Sequence, residues 1–200
     1  DPLVAMYKSL NFHHEVHIKP VVDSLNIQIQ KNMKPYMAGI MKMKKGQPLY
    51  ADANLTLRVT YGKVEGYQPQ DGVLYKYYTT LSGIMEKNNP AIYDYDVPAR
   101  LKELYEAKDF GRYEVNGDVP VCFTASNHTS GGNSGSPVVN ASGELIGVNF
   151  DRNWEGTMSD IMYDPEMCRN ISLDIRYALF IIDKLAGAGY LLKEMKIVEF

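Results

Sequence analysis

Thr129-Ser130-Gly131-Gly132-Asn133-Ser134-Gly135-Ser136-Pro137-Val138-Val139 is the stretch on which the reading of this chain turns. Three glycines surround one serine, so the backbone can take angles closed to other residues and pass close to a bound group. A serine on such a loop can attack a carbonyl carbon. Its own amide and that of the residue two before it can hold the oxyanion that forms. The donors would be Gly132 and Ser134. Glycine- and serine-rich turns also join ordinary strands, and a lone Gly-x-Ser-Gly does not separate the two readings. The longer run favours the nucleophile loop, because residues 137–139, a turn at 140–143 and the run 144–150 predict a hairpin after it. That hairpin would form one wall of a substrate cleft.

Downstream of the hairpin, Ile171-Ser172-Leu173 predicts a further strand. Ile175, Ala178, Leu179, Ile182 and Leu185 then mark one face of a helix, with Ser172 as N-cap and Gly187 and Gly189 as its end. Upstream, residues 119–124 predict a strand, residues 82–110 a helical excursion, and residues 72–80 another strand. Leu55-Thr56-Leu57-Arg58-Val59-Thr60-Tyr61 alternates with period two and predicts the first strand of the set. Residues 1–44 differ in texture: Leu3, Met6, Tyr7 and Leu10, then Val22, Leu25, Ile29, Met33, Met37 and Ile40, recur at helical spacing. Two helices are expected there, with Pro20 and Pro35 as breaks or kinks.

Six short strands, a serine loop before the fourth and a closing helix match the second six-stranded barrel of a chymotrypsin-like double-barrel serine protease. The expected fold class is mainly β with helices. The triad histidine and aspartate of that architecture lie in the first barrel, which is expected to be absent from this chain. His128 stands close to Ser134, but a base in the same loop has difficult geometry and is set aside, since a triad is defined by geometry rather than sequence proximity. His13 and His17 are at i, i+4 spacing, which also suits metal ligands. Without an accompanying carboxylate motif they read as surface or packing residues.

A net charge of -3 gives no basic excess for nucleic acid, and no apolar run is long enough to suggest a membrane span. Fifteen tyrosines and six phenylalanines against one tryptophan suit a β-rich core. Cys122 and Cys168 lack zinc-site spacing and are either two thiols or one disulfide, with thiols slightly favoured. Asn54, Asn127, Asn140 and Asn170 fit the short glycosylation pattern, which arises often by chance. No cofactor and no metal is expected. The start at Asp1-Pro2 suggests a segment of something larger, so the lack of a signal peptide says nothing about the parent.

These residues together resemble the S46 family of bacterial dipeptidyl-peptidases. The shared runs are 57–64, Tyr77-Tyr78-Thr79-Thr80, Asp109-Phe110-Gly111-Arg112-Tyr113, Val121-Cys122-Phe123, 131–138, Gly143-Glu144-Leu145-Ile146-Gly147, Phe150-Asp151-Arg152-Asn153-Trp154-Glu155 and Asp174-Ile175-Arg176-Tyr177. The resemblance implies a C-terminal segment: residues 1–46 would end an inserted α-helical domain, and residues 47–200 would be the second barrel with its helix. It implies Ser134 as nucleophile, Gly132 and Ser134 as the oxyanion hole, and Asp151 as the carboxylate that meets a substrate's α-ammonium. Members that cleave after Asp or Glu carry arginine at the position of Arg152, where hydrophobic-specific members carry glycine. Asn149, Phe150 and Gly131 would line the same pocket, while residues 153–155 would shape the loop.

The implied partners are a peptide substrate and the missing N-terminal part of the same chain, with a homodimer as one assembly. The implied location is periplasmic or at the cell surface. The competing readings are a broad or hydrophobic-specific member of the family, a glutamyl endopeptidase with a similar serine loop, and a protease-like barrel that only binds peptides.

Overall fold

Antiparallel pairing around the serine loop sets the architecture. A computed structural model describes residues 1–47, 49 and 57–198. The chain divides into two compact units, Asp1–Ala51 and Asp52–Phe200.

The first unit is helical: α1 (Pro2–His13), a π-turn at His14–Ile18 and α2 (Lys19–Met43) follow without an intervening loop. Two α-helices are present, and the irregularity between them is a π-turn just before Pro20 rather than a loop. Pro20 falls in the first turn of α2, where a missing N–H costs little, and the π-turn takes up the irregularity just before it. Pro35 lies inside the helix and does not end it. No described residue of α1 or α2 is buried, so the apolar stripe read from the sequence has no cover within the unit.

In the second unit, β1 (Tyr67–Gln70) and β2 (Val73–Tyr75) form a hairpin. A five-stranded antiparallel sheet runs in the order β3-β4-β7-β6-β5. Its strands are β3 (Tyr78–Thr80), β4 (Pro120–Ala125), β5 (Pro137–Val139), β6 (Leu145–Arg152) and β7 (Asn170–Asp174). The helical excursion contains α3 (Leu81–Glu86) and α4 (Ala99–Glu106), and α5 (Ile175–Phe180) runs into a π-turn at Ile181–Leu185. Leu81, Leu101, Leu104, Phe110, Val119 and Phe180 form the centre of the core. Each such side chain withdrawn from water contributes about 1.5–3 kcal/mol. Residues of the three helices and of β4 thus clamp together in one core.

The architecture is mixed helix and antiparallel sheet, and the described residues form no closed six-stranded barrel. Two expectations fail. Residues 57–61 form no strand, and Leu57, Val59 and Tyr61, the supposed inward face, are 94%, 78% and 91% exposed. Leu55 and Thr56 lie outside the described residues. Residues 72–80 are two strands, not one, and belong to different sheets. The α5 cap also differs: β7 runs on through Asp174, whose carboxylate accepts the Arg176 N–H, whereas Ser172 is buried in the sheet. Cys122 and Cys168 are both free thiols. Among the described residues no helix is long and apolar enough to cross a membrane.

Candidate active site

The glycine-rich loop is docked on β6. Gly135 N–H donates to the Asn149 carbonyl at 2.8 Å, and Asn149 N–H donates to the Ser136 carbonyl at 2.9 Å. The Asn149 amide donates to the Asn133 carbonyl at 3.1 Å and accepts from Asn170 at 2.9 Å. Asn149 and Asn170 are buried, so the loop rests on a buried polar ladder whose donors are matched, while the Asn170 side-chain oxygen meets no partner among the described residues. Within the loop, Asn133 N–H reaches the Ser130 carbonyl and Ser136 N–H reaches the Asn133 carbonyl. The Asn133 side-chain oxygen accepts from Ser130 N–H at 3.1 Å and from the Arg58 guanidinium, which also donates to Ser130 Oγ at 3.0 Å.

Amides 133 and 136 are therefore consumed within the loop and amide 135 by β6. Among the described residues, the Gly132 and Ser134 amides meet no acceptor, and no side chain engages the Ser134 hydroxyl. Gly132 has φ +95, a conformation that L side chains resist, so the spare amide at this position depends on glycine. Ser134 itself is exposed. The loop thus holds a hydroxyl and two unspent amides at the surface, which is what an oxyanion-stabilising nucleophile needs.

Thr129, Ser130, Gly131, Ser134, Asn149, Phe150, Asp151 and Arg152 line one pocket of ≈ 170 Å³. Consecutive strand residues cannot normally face one pocket, because side chains alternate. Here Asn149 pairs with Ser172 and Asp151 with Ile171, so Phe150 is the extra residue of a β-bulge. The bulge gathers 149–152 onto the Ser134 side. The Asp151 carboxylate is exposed and accepts the Arg152 N–H at 2.8 Å. Arg152 is held end-on by Asp160, with Nη1 to Oδ1 at 2.9 Å and Nη2 to Oδ2 at 2.5 Å, and Nη1 also donates to Ser159 Oγ at 2.6 Å. This partner holds the Asp160 carboxyl below the usual carboxylate range and raises Arg152 further.

His128 lies in a neighbouring pocket lined also by Arg152, Ser159 and Tyr163, with its ring centroid 4.7 Å from that of Tyr163, and burial lowers its pKa. It does not line the Ser134 pocket. A larger cavity of ≈ 700 Å³ is lined by Thr80, Ser82, Asp118, Phe123 and Arg176 among others, and contains no loop residue. Two of its charged groups are already matched, Arg176 by Asp174 and Asp118 by the amides of Ser82 and Val119. The smaller pocket carries the uncommitted groups and is the better candidate.

Of the residues expected from the sequence, Gly131, Ser134 and 149–152 line one pocket, while Gly132 lies on the same loop but not in that lining; Arg58, Asn133, Asn170 and Asp160 are not among the expected site residues. In sequence Arg58 stands out only as a polar position of an expected strand within the shared run 57–64, and Asn170 only as part of a glycosylation pattern. Residues 153–155 do shape the turn: the Asn153 amide donates to the Met167 carbonyl, and Glu155 accepts from Tyr67 at 2.7 Å.

A hydroxyl and spare amides on one loop are the working parts of a serine-type peptidase. The chain belongs to the Peptidase S46 family, whose profile matches residues 1–197. It is 52% identical over 198 residues to the Asp/Glu-specific dipeptidyl-peptidase of Capnocytophaga gingivalis, covering 98% of this chain and 28% of that protein. It is 53% identical over 187 residues to the dipeptidyl-peptidase 7 of Phocaeicola vulgatus, covering 90% and 26%. The crystal structure of Porphyromonas endodontalis DPP11 in complex with the dipeptide Arg-Glu superposes with a TM-score of 0.88 at 50% identity, over 97% of this chain and 28% of that one. The chain therefore spans under a third of the length of these relatives.

Proposed function

We propose that this chain is the C-terminal segment of a serine exopeptidase that releases N-terminal dipeptides with Asp or Glu before the scissile bond. The observation that carries the reading is the single pocket shared by Ser134, Asp151 and Arg152. Ser134 attacks the carbonyl carbon, and the Gly132 and Ser134 amides receive the oxyanion. The Asp151 carboxylate meets the substrate's free ammonium, which rewards chain ends only. Arg152 meets the acidic side chain, whereas an apolar side chain would leave the guanidinium poorly matched. Asn149 and Phe150 shape the pocket wall, and Gly131 leaves its rim low.

The base and its orienting carboxylate come from a first barrel outside these residues, completing a chymotrypsin-like double barrel. Residues 1–46 end the helical domain inserted between the barrels, and residues 47–200 belong to the second. A periplasmic or cell-surface location and a homodimer complete the proposal. A hydrophobic-specific enzyme is the second reading, favoured by the 53% identity to a dipeptidyl-peptidase 7. Overall identity does not separate the two, and Arg152, which the resemblance associates with Asp/Glu specificity, supports the first.

The test uses a full-length enzyme carrying this segment, assayed on free N-terminal Xaa-Asp and Xaa-Leu dipeptide amides. Ser134→Ala should abolish turnover, and Arg152→Gly should move the preference from Asp to Leu. Retained turnover in the first variant, or an unchanged preference in the second, would refute the respective assignment. The 200-residue chain alone should not turn over Xaa-Asp amides, because a serine without its base is a weak nucleophile. Turnover by it that is lost on Ser134→Ala would overturn the missing-base reading.

A further inference from the structure

Arginine presents two carboxylate-sized forks, one end-on through Nη1 and Nη2 and one side-on through Nε and Nη2. In Arg152 the end-on fork is filled by Asp160, and the second Nη1 proton goes to Ser159, which is 2% exposed. Among the described residues no acceptor meets Arg152 Nε, so the side-on fork is left over. The same chain shows that this second fork suits a carboxylate: Arg176 holds Asp174 through Nε at 2.8 Å and Nη2 at 2.6 Å.

We infer that Asp160 is a positioning residue for substrate selection: it grips the far edge of the Arg152 guanidinium so that the side-on fork faces the pocket and takes the substrate's acidic side chain. The inference rests on the proposed role of Arg152. Asp160 and Ser159 come from the turn that follows β6, so the fork is oriented by an element independent of the strand that carries Arg152. A long arginine stem fixed before binding loses less freedom when the substrate arrives, which strengthens binding without a new contact. Asp160 is the first group to be neutralised by the guanidinium, yet two donors remain, and two parallel N–H···O bonds suffice for a carboxylate. Substrate carboxylate and Asp160 therefore occupy different edges and do not compete.

The experiment uses a full-length enzyme carrying this segment, with Asp160→Ala, Asp160→Asn, Arg152→Gly and the double variant Arg152→Gly/Asp160→Asn. Steady-state kinetics are read on Xaa-Asp, Xaa-Glu and Xaa-Leu amides. Asp160→Ala should raise KM for the two acidic substrates about tenfold, with the loss falling on KM rather than kcat. Asp160→Asn keeps one acceptor and should fall between the two. The ratio of kcat/KM for Asp over Leu should drop in the single Asp160 variants, and the double variant should match Arg152→Gly alone. Equal losses on acidic and apolar substrates would make Asp160 merely structural, and a lowered KM for acidic substrates would make it a competitor; either overturns the inference. If Arg152→Gly leaves the acidic preference intact, the pocket reading itself fails. If it abolishes the preference while the Asp160 variants retain it, only the present inference fails.

Discussion

At the scale of single residues, the serine loop owes its shape to groups far away in sequence. Arg58 reaches Ser130 and Asn133 across more than seventy positions, and Asn133 makes three hydrogen bonds with the loop's own backbone. A guanidinium that bridges a hydroxyl and an amide oxygen restrains both ends of the turn that presents Gly132 and Ser134. Removing it leaves Ser130 and Asn133 to find water, and hydrogen bonds to a charged group are worth about 1.5–3 kcal/mol. In a full-length enzyme, Arg58→Ala should lower kcat by roughly ten- to a hundredfold, since each 1.36 kcal/mol of lost transition-state stabilisation is tenfold. KM should change little, because Arg58 does not line the pocket. Stopped-flow acylation with an active-site serine reagent would show the same slowing. A KM effect without a kcat effect would assign Arg58 to the substrate instead.

At the scale of elements, local chemistry decided what could be read. The loop and its hairpin were legible because every device lies within a few residues: glycines where the backbone turns, then Pro137-Val138-Val139 against residues 144–150. The α5 cap was displaced by two residues because Ser172 and Asp174 are both good caps, and only the register of β7 against β4 and β6 shows that Ser172 still belongs to the sheet. Residues 57–61 misled for a different reason. Their alternation suits a half-buried strand, but what they pack against is not encoded in the segment, and residues 62–66 instead strap the end of β4 through Lys63, Glu65 and Ser126. Asp174 now makes a clear prediction. It is 4% exposed, caps Arg176 N–H at 2.9 Å and binds the Arg176 guanidinium. Asp174→Ala should lower the unfolding free energy by about 2 kcal/mol, a lost cap plus part of a lost ion pair. The check is the shift in urea midpoint at constant slope. A shift within error would mean that α5 is held by Phe180 packing alone.

At the scale of the whole molecule, the chain carries much uncovered apolar surface, including all of α1 and α2 and the turn bearing Trp154, Ile161 and Met162. The chain spans under a third of the length of the relatives it matches. What the sequence reveals most fully is the part whose packing partners lie among the described residues. The clamped core around Phe110, Tyr113 and Phe180 is such a part, and its titration tests it. Burial, with a hydrogen bond to Asp183 adding to it, pushes Tyr113 up to about 12. Burial likewise pushes Tyr67 up to about 12, with Glu155 accepting its hydroxyl. In the unfolded chain both ionise near pH 10. Their contribution to stability is therefore full below about pH 10 and is lost as pH rises toward 12, because only the unfolded state releases those protons in between. Tyrosinate absorbance followed against pH should show exposed tyrosines titrating first. A late group should then ionise together with the loss of folded ellipticity. Tyr113→Phe should remove one phenol from that late step. If all fifteen tyrosines titrate near pH 10 while the fold persists, the core around Tyr113 is open to water and its assignment is wrong.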